Sequence, residues 1–357
     1  MRLKLVAAVA CTAIAAVIFL RDYTPPAAAE ARYQTSAGTV DVTRLVGGLD
    51  TPWAVAPLPG GGALITERDG ALLHFDSDWQ RTEVAGVPEV HAENQGGLLD
   101  VAAARDFAET RTIFLTYSEP EGRRARTTMA SARLSADATR LEDLRILFRQ
   151  EPAVRGSSHF GSRVVEADDG TLFVTTGDRR ERPEAQNPQS HIGKVVRVTR
   201  DGTVPADNPF ADGRDALPEI WSIGHRNVQG ATLDDEGRLW TLSHGARGGD
   251  EVNLALPGRN YGWPVISYGR HYSGLSIGEG TAQEGMEQPK HYWDPSIAPS
   301  GMVAYDGDAF PDWQGDLFVG ALKFDYIARL DRDGDRILGE EKLFEGAYSR
   351  IRDVVMG

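Results

Sequence analysis

The sequence predicts an all-β protein, a β-propeller, and three observations carry that prediction. First, one apolar strand framed by turn residues recurs five times: GGGALITERDG (60–70), ETRTIFLTYSE (109–119), DDGTLFVTTGD (168–178), DEGRLWTLSHG (235–245) and WQGDLFVGALK (313–323). Second, with Leu64, Phe114, Phe173, Trp240 and Phe318 as equivalent positions, the copies lie 50, 59, 67 and 78 residues apart, the size of a blade. Third, further short β-type runs such as LLHFD, KVVRVTRDG and YIARLDRDG fill the intervals, whereas helical periodicity is scarce. Arranged radially, such repeats leave only short, protected edges. Each copy is expected to be the inner strand of its blade. A sixth would fall roughly 10 to 20 residues after Met356, so the ring has either five blades or a sixth that this chain does not complete.

The 357 residues are 41% hydrophobic and 25% charged, which fits a soluble globular chain and excludes disorder. At the N-terminus, Arg2 and Lys4 precede an uncharged, mostly apolar run from Leu5 to Leu20, and Ala27, Ala28 and Ala29 follow as a small-residue cleavage site. That layout predicts a secretory signal over residues 1–29 and one domain over residues 30–357. Export to the periplasm or the outside follows, with no stable membrane insertion after cleavage; an uncleaved anchor is the other reading, since the apolar run is near the lower limit for a span. Cys11 is the only cysteine, so the mature chain has neither disulfides nor thiol chemistry. Cleavage removes a net +2 and moves the formal charge from −14 to −16. So acidic a chain is a poor partner for nucleic acid or anionic membranes.

The apolar strands run into loops rich in polar residues, where a rigid scaffold can assemble a site. In SSHFGSR (157–163), His159 titrates near neutrality and is a candidate general base. In NQGGLLD (94–100), the Gln95 amide can donate and accept. In IGHRNVQG (223–230), Arg226 beside Asn227 offers a planar donor fork for a carboxylate. In SRIRD (349–353), Arg350 and Arg352 alternate along an expected strand and would face one way, a repulsion that makes sense inside an anion site. With Lys323 these arginines imply an anionic ligand. The stretch HGARGGDEVN (244–253) lacks the Lys-Ser/Thr pair of a phosphate loop and stays open between a metal loop and a turn. DRDGD (331–335) has its glycine at the fourth position of a would-be calcium loop and Lys342 at the twelfth, so a hairpin turn is expected. GxSxG and HExxH are absent, and His191, His271 and His291 show no metal-ligand spacing.

Taken together, GHRN, GARGGDEVN, NYGWP and RIRD, in this order between LDTPW (49–53) and RIRDV (350–354), resemble the soluble aldose dehydrogenases that use pyrroloquinoline quinone (PQQ), the glucose and sorbosone dehydrogenase family. The resemblance implies a six-bladed propeller, here with its last blade incomplete at the C-terminus, and oxidation of the aldose C1 hydroxyl to a lactone. It implies His159 as the base, Asp178 as the carboxylate that orients it, and Gln95, Arg226, Asn227, Lys323, Arg350 and Arg352 as the quinone's holders, Arg226 also countering charge on reduction. Ser296 matches the pattern less closely. The resemblance places a catalytic Ca2+ on the main-chain carbonyls of Gly245 and Ala246, and a second, structural Ca2+ near Glu251 with Asp250 and the Tyr261 carbonyl. Ala246 stands where the family usually has proline, and the Gly-Pro-Asp-Gly turn expected after Arg352 is missing. The partners implied are an aldose substrate and an electron acceptor, a cytochrome or a quinone. Two other functions remain open from sequence: a calcium-dependent propeller lactonase, which would hold its metal on acidic side chains, and a non-catalytic binding propeller.

Overall fold

Short runs of Val, Ile, Leu, Phe and Thr cut by Asp-Gly turns form strands, because β-branched and aromatic side chains pack on a pleated surface and the turn residues supply the reversals. The computed structural model describes residues 31–357, and the predicted signal over residues 1–29 lies outside the described residues. A hairpin of β1 (Ala31–Thr35) and β2 (Gly38–Val42) precedes five antiparallel four-stranded sheets. The first sheet holds β3 (Pro52–Pro57), β4 (Ala63–Glu67), β5 (Leu72–Phe75) and β6 (Arg81–Val84), and the second β7 (Leu98–Ala103), β8 (Thr112–Glu121), β9 (Arg124–Leu134) and β10 (Leu141–Arg149). The third holds β11 (Gly161–Glu166), β12 (Leu172–Thr176), β13 (Lys194–Val198) and β14 (Ile220–Ile223). The fourth holds β15 (Val228–Leu233), β16 (Leu239–Ser243), β17 (Asp250–Leu254) and β18 (His291–Trp293), and the fifth β19 (Pro299–Ala304), β20 (Leu317–Ala321), β21 (Ile327–Asp333) and β22 (Arg336–Leu343). Among the described residues no helix is long and apolar enough to cross a membrane.

The first strands pack side by side in sequence, β3 on β7, β7 on β11, β11 on β15 and β15 on β19, which makes the sheets blades of a propeller. The five repeated apolar strands are β4, β8, β12, β16 and β20, one place out from the centre rather than innermost. A second strand is paired along both edges and covered by neighbouring blades on both faces, so it reads as an unbroken apolar run. The first strands carry the buried polar residues Asp100, Ser162, Arg163 and Ser300, which breaks their pattern. DRDGD forms the predicted hairpin, with Gly334 at φ 62° between β21 and β22.

Among the described residues five complete blades are found, one fewer than the resemblance implies. The segment 351–355 runs between β19 and β3: Ser300 Oγ donates to Ile351 O at 2.7 Å, Gly301 N to Arg352 O at 3.2 Å and Val55 N to Asp353 Oδ2 at 3.1 Å. Ile351 and Val354 join Val40 of the hairpin in the apolar cluster of the fifth blade, while Val355 packs on Val55 and Phe75 of the first. The strand expected for Arg350 to Arg352 is not formed; Arg350 is left-handed at φ 53°, its N–H bound to the Asp325 carboxylate.

Beneath the central cavity Arg163 ties four parts of the ring together. Its Nη1 reaches Asp100 Oδ1 at 2.8 Å, its Nη2 reaches Asp353 Oδ1 at 3.1 Å, and Nε and Nη2 donate to Gln229 O at 3.2 and 3.1 Å. The first strands of the second, third and fourth blades are thereby joined to segment 351–355.

Candidate active site

The loops around the channel enclose a cavity of about 770 Å³. His159 enters it from the turn before β11, and the turn depends on a close approach. The His159 carbonyl lies where a Cβ on Gly177 would be, 1.9 Å away, so only glycine lets loops 157–161 and 177–180 meet. That approach brings Asp178 Oδ1 to 2.6 Å from His159 Nδ1. Asp178 is itself held, its Oδ2 accepting from Trp263 Nε1 at 2.9 Å and its Oδ1 from Arg180 N at 2.9 Å. Gln95 Oε1 accepts from His159 N at 2.7 Å and fixes the histidine from the other side.

The Asp178 carboxylate accepts the Nδ1 proton of His159, so the lone pair is on Nε2, the other ring nitrogen of this cavity-lining side chain. Burial lowers the His159 pKa below its ordinary value; the Asp178 hydrogen bond works against that, and the charge of Arg226 works with it. For Asp178, burial works to raise the pKa and is outweighed by the hydrogen bond and charge of His159, so its carboxyl stays below the usual range. The pair is therefore a neutral imidazole on an ionised carboxylate, a competent base at neutral pH.

All four predicted cations line the cavity, together with Asn227 and Ser296. Arg226 donates from Nη1 to His244 O at 3.1 Å and lies 5.2 Å over the Trp263 ring, while its buried Nε has no partner. Burial is the main influence lowering its pKa. Arg352 donates to Gln229 Oε1 at 3.1 Å and lies 4.5 Å over Trp53; burial and the nearby Arg163 bring its pKa down to about 9. Asn227 Oδ1 accepts from Gly161 N at 3.1 Å, which joins the fourth blade to the base loop.

The loop 244–250 resolves into two roles. Gly245 and Ala246 are buried and line the cavity, and the loop's hydrogen bonds run from Gly245 N to Asp250, Gly249 N to Trp293 O and Arg247 N to Arg270 O, none ending on the carbonyl oxygens of Gly245 or Ala246. Asp250 is an anchor: its oxygens accept from Gly245 N (2.8 Å), Ser296 Oγ (2.7 Å), Ile297 N (2.8 Å) and Ala298 N (3.2 Å). Ser296 is thereby engaged with Asp250. Glu251, next along β17, points to the opposite face, as strand alternation requires, with Asn253 Nδ2 at 3.2 Å; burial raises its pKa to about 7. The two acids do not converge. Tyr261 stacks on His225 at 4.7 Å, and its hydroxyl accepts from Leu256 N and donates to Leu254 O. Among the described residues no three His, Cys, Asp or Glu side chains form a metal cage.

Three further cations, Arg68, Arg180 and Arg247, line the cavity, as do His244, Trp53 and Tyr272, while no carboxylate does. Sequence reasoning passed over them. Arg68 and Arg247 stand inside stretches already singled out, whereas Tyr272 belongs to a loop between β17 and β18 that carries no motif.

Over residues 49–357 the chain matches the family model described as glucose/sorbosone dehydrogenase. It is 44% identical over 325 residues to the aldose sugar dehydrogenase YliI of Escherichia coli, covering 89% of this chain and 88% of that one. A solved glucose dehydrogenase superposes with a TM-score of 0.84 at 46% identity, covering 86% of this chain and 90% of the other. The PQQ-bound form of an aldose sugar dehydrogenase from Streptomyces coelicolor superposes with a TM-score of 0.72 at 27% identity, over 92% and 89% of the two chains. A match that runs through His159, Asp178 and every cavity loop, at this level of identity, places the chain in the glucose and sorbosone dehydrogenase family.

Proposed function

We propose that the protein is a PQQ-dependent aldose dehydrogenase that oxidises the C1 hydroxyl of an aldose to a lactone. The observation that carries this reading is the His159–Asp178 pair, 2.6 Å apart, beside seven cationic side chains and no carboxylate in one cavity. Buried cations without counter-ions are costly, and the partnerless Nε atoms of Arg226 and Arg68 are donors in want of an acceptor. A tricarboxylate such as PQQ suits that donor set. Arg226, Asn227, Lys323, Arg350 and Arg352 would hold it, with Gln95 alongside.

When bound, PQQ supplies the two-electron oxidant that takes the hydride from C1. The protein's own part is the proton. His159 Nε2 removes it from the C1 hydroxyl as the C1–H bond breaks and the carbonyl of the lactone forms. Asp178 keeps the imidazole in the accepting tautomer and stabilises the imidazolium produced. Arg226 faces the developing negative charge. The free backbone of Gly245 and Ala246 suits a hard cation, and Ca2+ there is part of the proposal; Glu251 is the acid left for a second ion, since Asp250 is occupied. The sixth blade belongs to the proposal too: segment 351–355 takes the place of its first strand, with the β1–β2 hairpin beside it. So does export, which rests on residues 1–29. A calcium lactonase is disfavoured because no acidic side chain lines the cavity.

The test is reconstitution of the purified protein with PQQ and Ca2+, followed by assay of aldoses with an artificial electron acceptor. Turnover that requires PQQ and vanishes in His159→Asn is expected. Lactone hydrolysis without PQQ, or no turnover above the His159→Asn level, would sink the proposal.

A further inference from the structure

Of the seven cations that line the cavity, Arg68, Arg180 and Arg247 are not among the residues that would hold the quinone. The positive charges that act on Arg352 are Arg163, Arg68 and Arg350, with Asp353 working against them, which collects these arginines on one side. Those that act on His159 are Arg226 and Arg180, which sets Arg180 beside the base. Its backbone N–H is fixed on Asp178, two residues away, while its side chain is exposed at the cavity. Arg247 projects from the loop of Gly245 and Ala246. Mutual backbone bonds between Arg247 and Arg270, at 3.0 and 3.2 Å, hold that loop against the one bearing Tyr272, which lines the cavity while 74% exposed. Among the described residues neither the Arg180 nor the Arg247 side chain makes an ion pair or hydrogen bond.

A neutral sugar offers hydroxyls, which ask for acceptors as much as donors. This side of the cavity offers two guanidinium groups, which only donate, and no carboxylate to accept. Planar donor forks match a carboxylate or a phosphate. Resting on the dehydrogenase reading above, we propose that the preferred substrate is an anionic aldose, a uronic acid or a sugar phosphate, whose charged group is held by Arg180 and Arg247 while C1 faces His159.

The experiment compares kcat/KM of the PQQ- and Ca2+-loaded enzyme for glucose, glucuronate and glucose 6-phosphate at low salt. One or both anions are expected to exceed glucose about tenfold or more, the factor for a hydrogen bond between charged groups. The preference should collapse in Arg180→Gln or Arg247→Gln and shrink at about 0.5 M salt, but persist in Arg214→Gln, an exposed arginine outside the cavity. Preference for glucuronate alone identifies a carboxylate, and for the phosphate alone a phosphate; thermal melting verifies that each variant is folded. Glucose turned over as well as both anions, or a preference intact in both variants, overturns the inference and leaves the dehydrogenase standing. If no sugar is oxidised, the dehydrogenase reading fails and calorimetry decides: glucuronate or glucose 6-phosphate binding that is lost in the two variants supports the anion site, and no binding of either overturns it.

Discussion

Asp178→Asn keeps the size of the side chain and removes one property, the ability to accept on both oxygens. In the native protein Oδ1 accepts from His159 Nδ1 at 2.6 Å and Arg180 N at 2.9 Å, and Oδ2 accepts from Trp263 Nε1 at 2.9 Å. An amide with its oxygen toward His159 sets its NH2 against the Trp263 indole N–H, at a cost of about 1–3 kcal/mol for the unmade bond. Turned the other way, the NH2 meets Arg180 N and favours the His159 tautomer with its proton on Nε2, which cannot accept another. Either way imidazolium loses its counter-charge, and kcat should fall about 10²–10⁴-fold, the range for a disabled general base. The pH profile distinguishes this from simple damage. Burial and Arg226 lower the His159 pKa while Asp178 raises it, so the variant's pKa falls further, and the acid limb of kcat/KM moves to lower pH as the plateau drops. The assay is turnover of the loaded enzyme from pH 5 to 9 with circular dichroism as the folding control. A kcat within a few-fold of native, or an acid limb that stays put or moves up, would refute the reasoning.

Arg226→Lys should weaken PQQ binding about tenfold or more by absorbance titration, since a point charge cannot reproduce a planar fork lying 5.2 Å over the Trp263 ring. Asp250→Ala leaves the Gly245 and Ile297 N–H groups and the Ser296 hydroxyl proton without an acceptor, and Ala298 N with only Ser296 Oγ at 3.1 Å, so urea unfolding should show a loss of roughly 3 kcal/mol or more. Lys194 donates from Nζ to the carbonyls of Glu184, Ala185 and Ile192 at 2.7–3.0 Å, so Lys194→Met should cost about 2–4 kcal/mol by the same measurement. It should also lower kcat, because Gln186 in that turn donates to Trp263 O. Burial, with Arg226 and Arg352, brings the His244 pKa down to about 3 from an unfolded 6.5. The unfolded chain therefore takes up a proton that the folded one refuses as pH falls below about 6.5, and stability is lost in that window. His244→Gln should make the decline of unfolding free energy shallower by about 1 kcal/mol per pH unit.

Second strands such as β12 and β20 announced the propeller because they are apolar on both faces, and their spacing counted five blades without help. The first strands were not legible for a physical reason: Arg163 and Asp100 satisfy each other between the adjacent strands of neighbouring blades, and nothing in either local pattern shows the partner. His159, Arg226 and Arg352 were readable as residue types in polar loops, and their convergence followed from the resemblance more than from spacing. Asp250 shows the limit most plainly. An acid in a glycine-rich loop reads as a metal ligand, yet its donors include Ser296, Ile297 and Ala298, almost fifty residues later and invisible to any local rule. Arg180 was hidden differently, since it follows Arg179, whose buried side chain donates to three backbone carbonyls and is purely structural.

The arrangement of charge around segment 351–355 explains why these arginines can remain uncompensated. Arg163 is neutralised from two sides by Asp100 and Asp353, and the same Asp353 fixes Val55 N of the first blade. Arg352, one residue earlier, is denied that carboxylate, because Asp353 is committed below the cavity, and it is left with the Gln229 amide and the face of Trp53. A carboxylate turned upward would pair with Arg352, satisfy the site and close it to an anionic ligand. Drawing the acids beneath the floor lets the network that ties the ring together also withhold counter-ions from the cavity. The positive potential above is thus a consequence of how the blades are joined, and Arg352 is held in place before any ligand arrives.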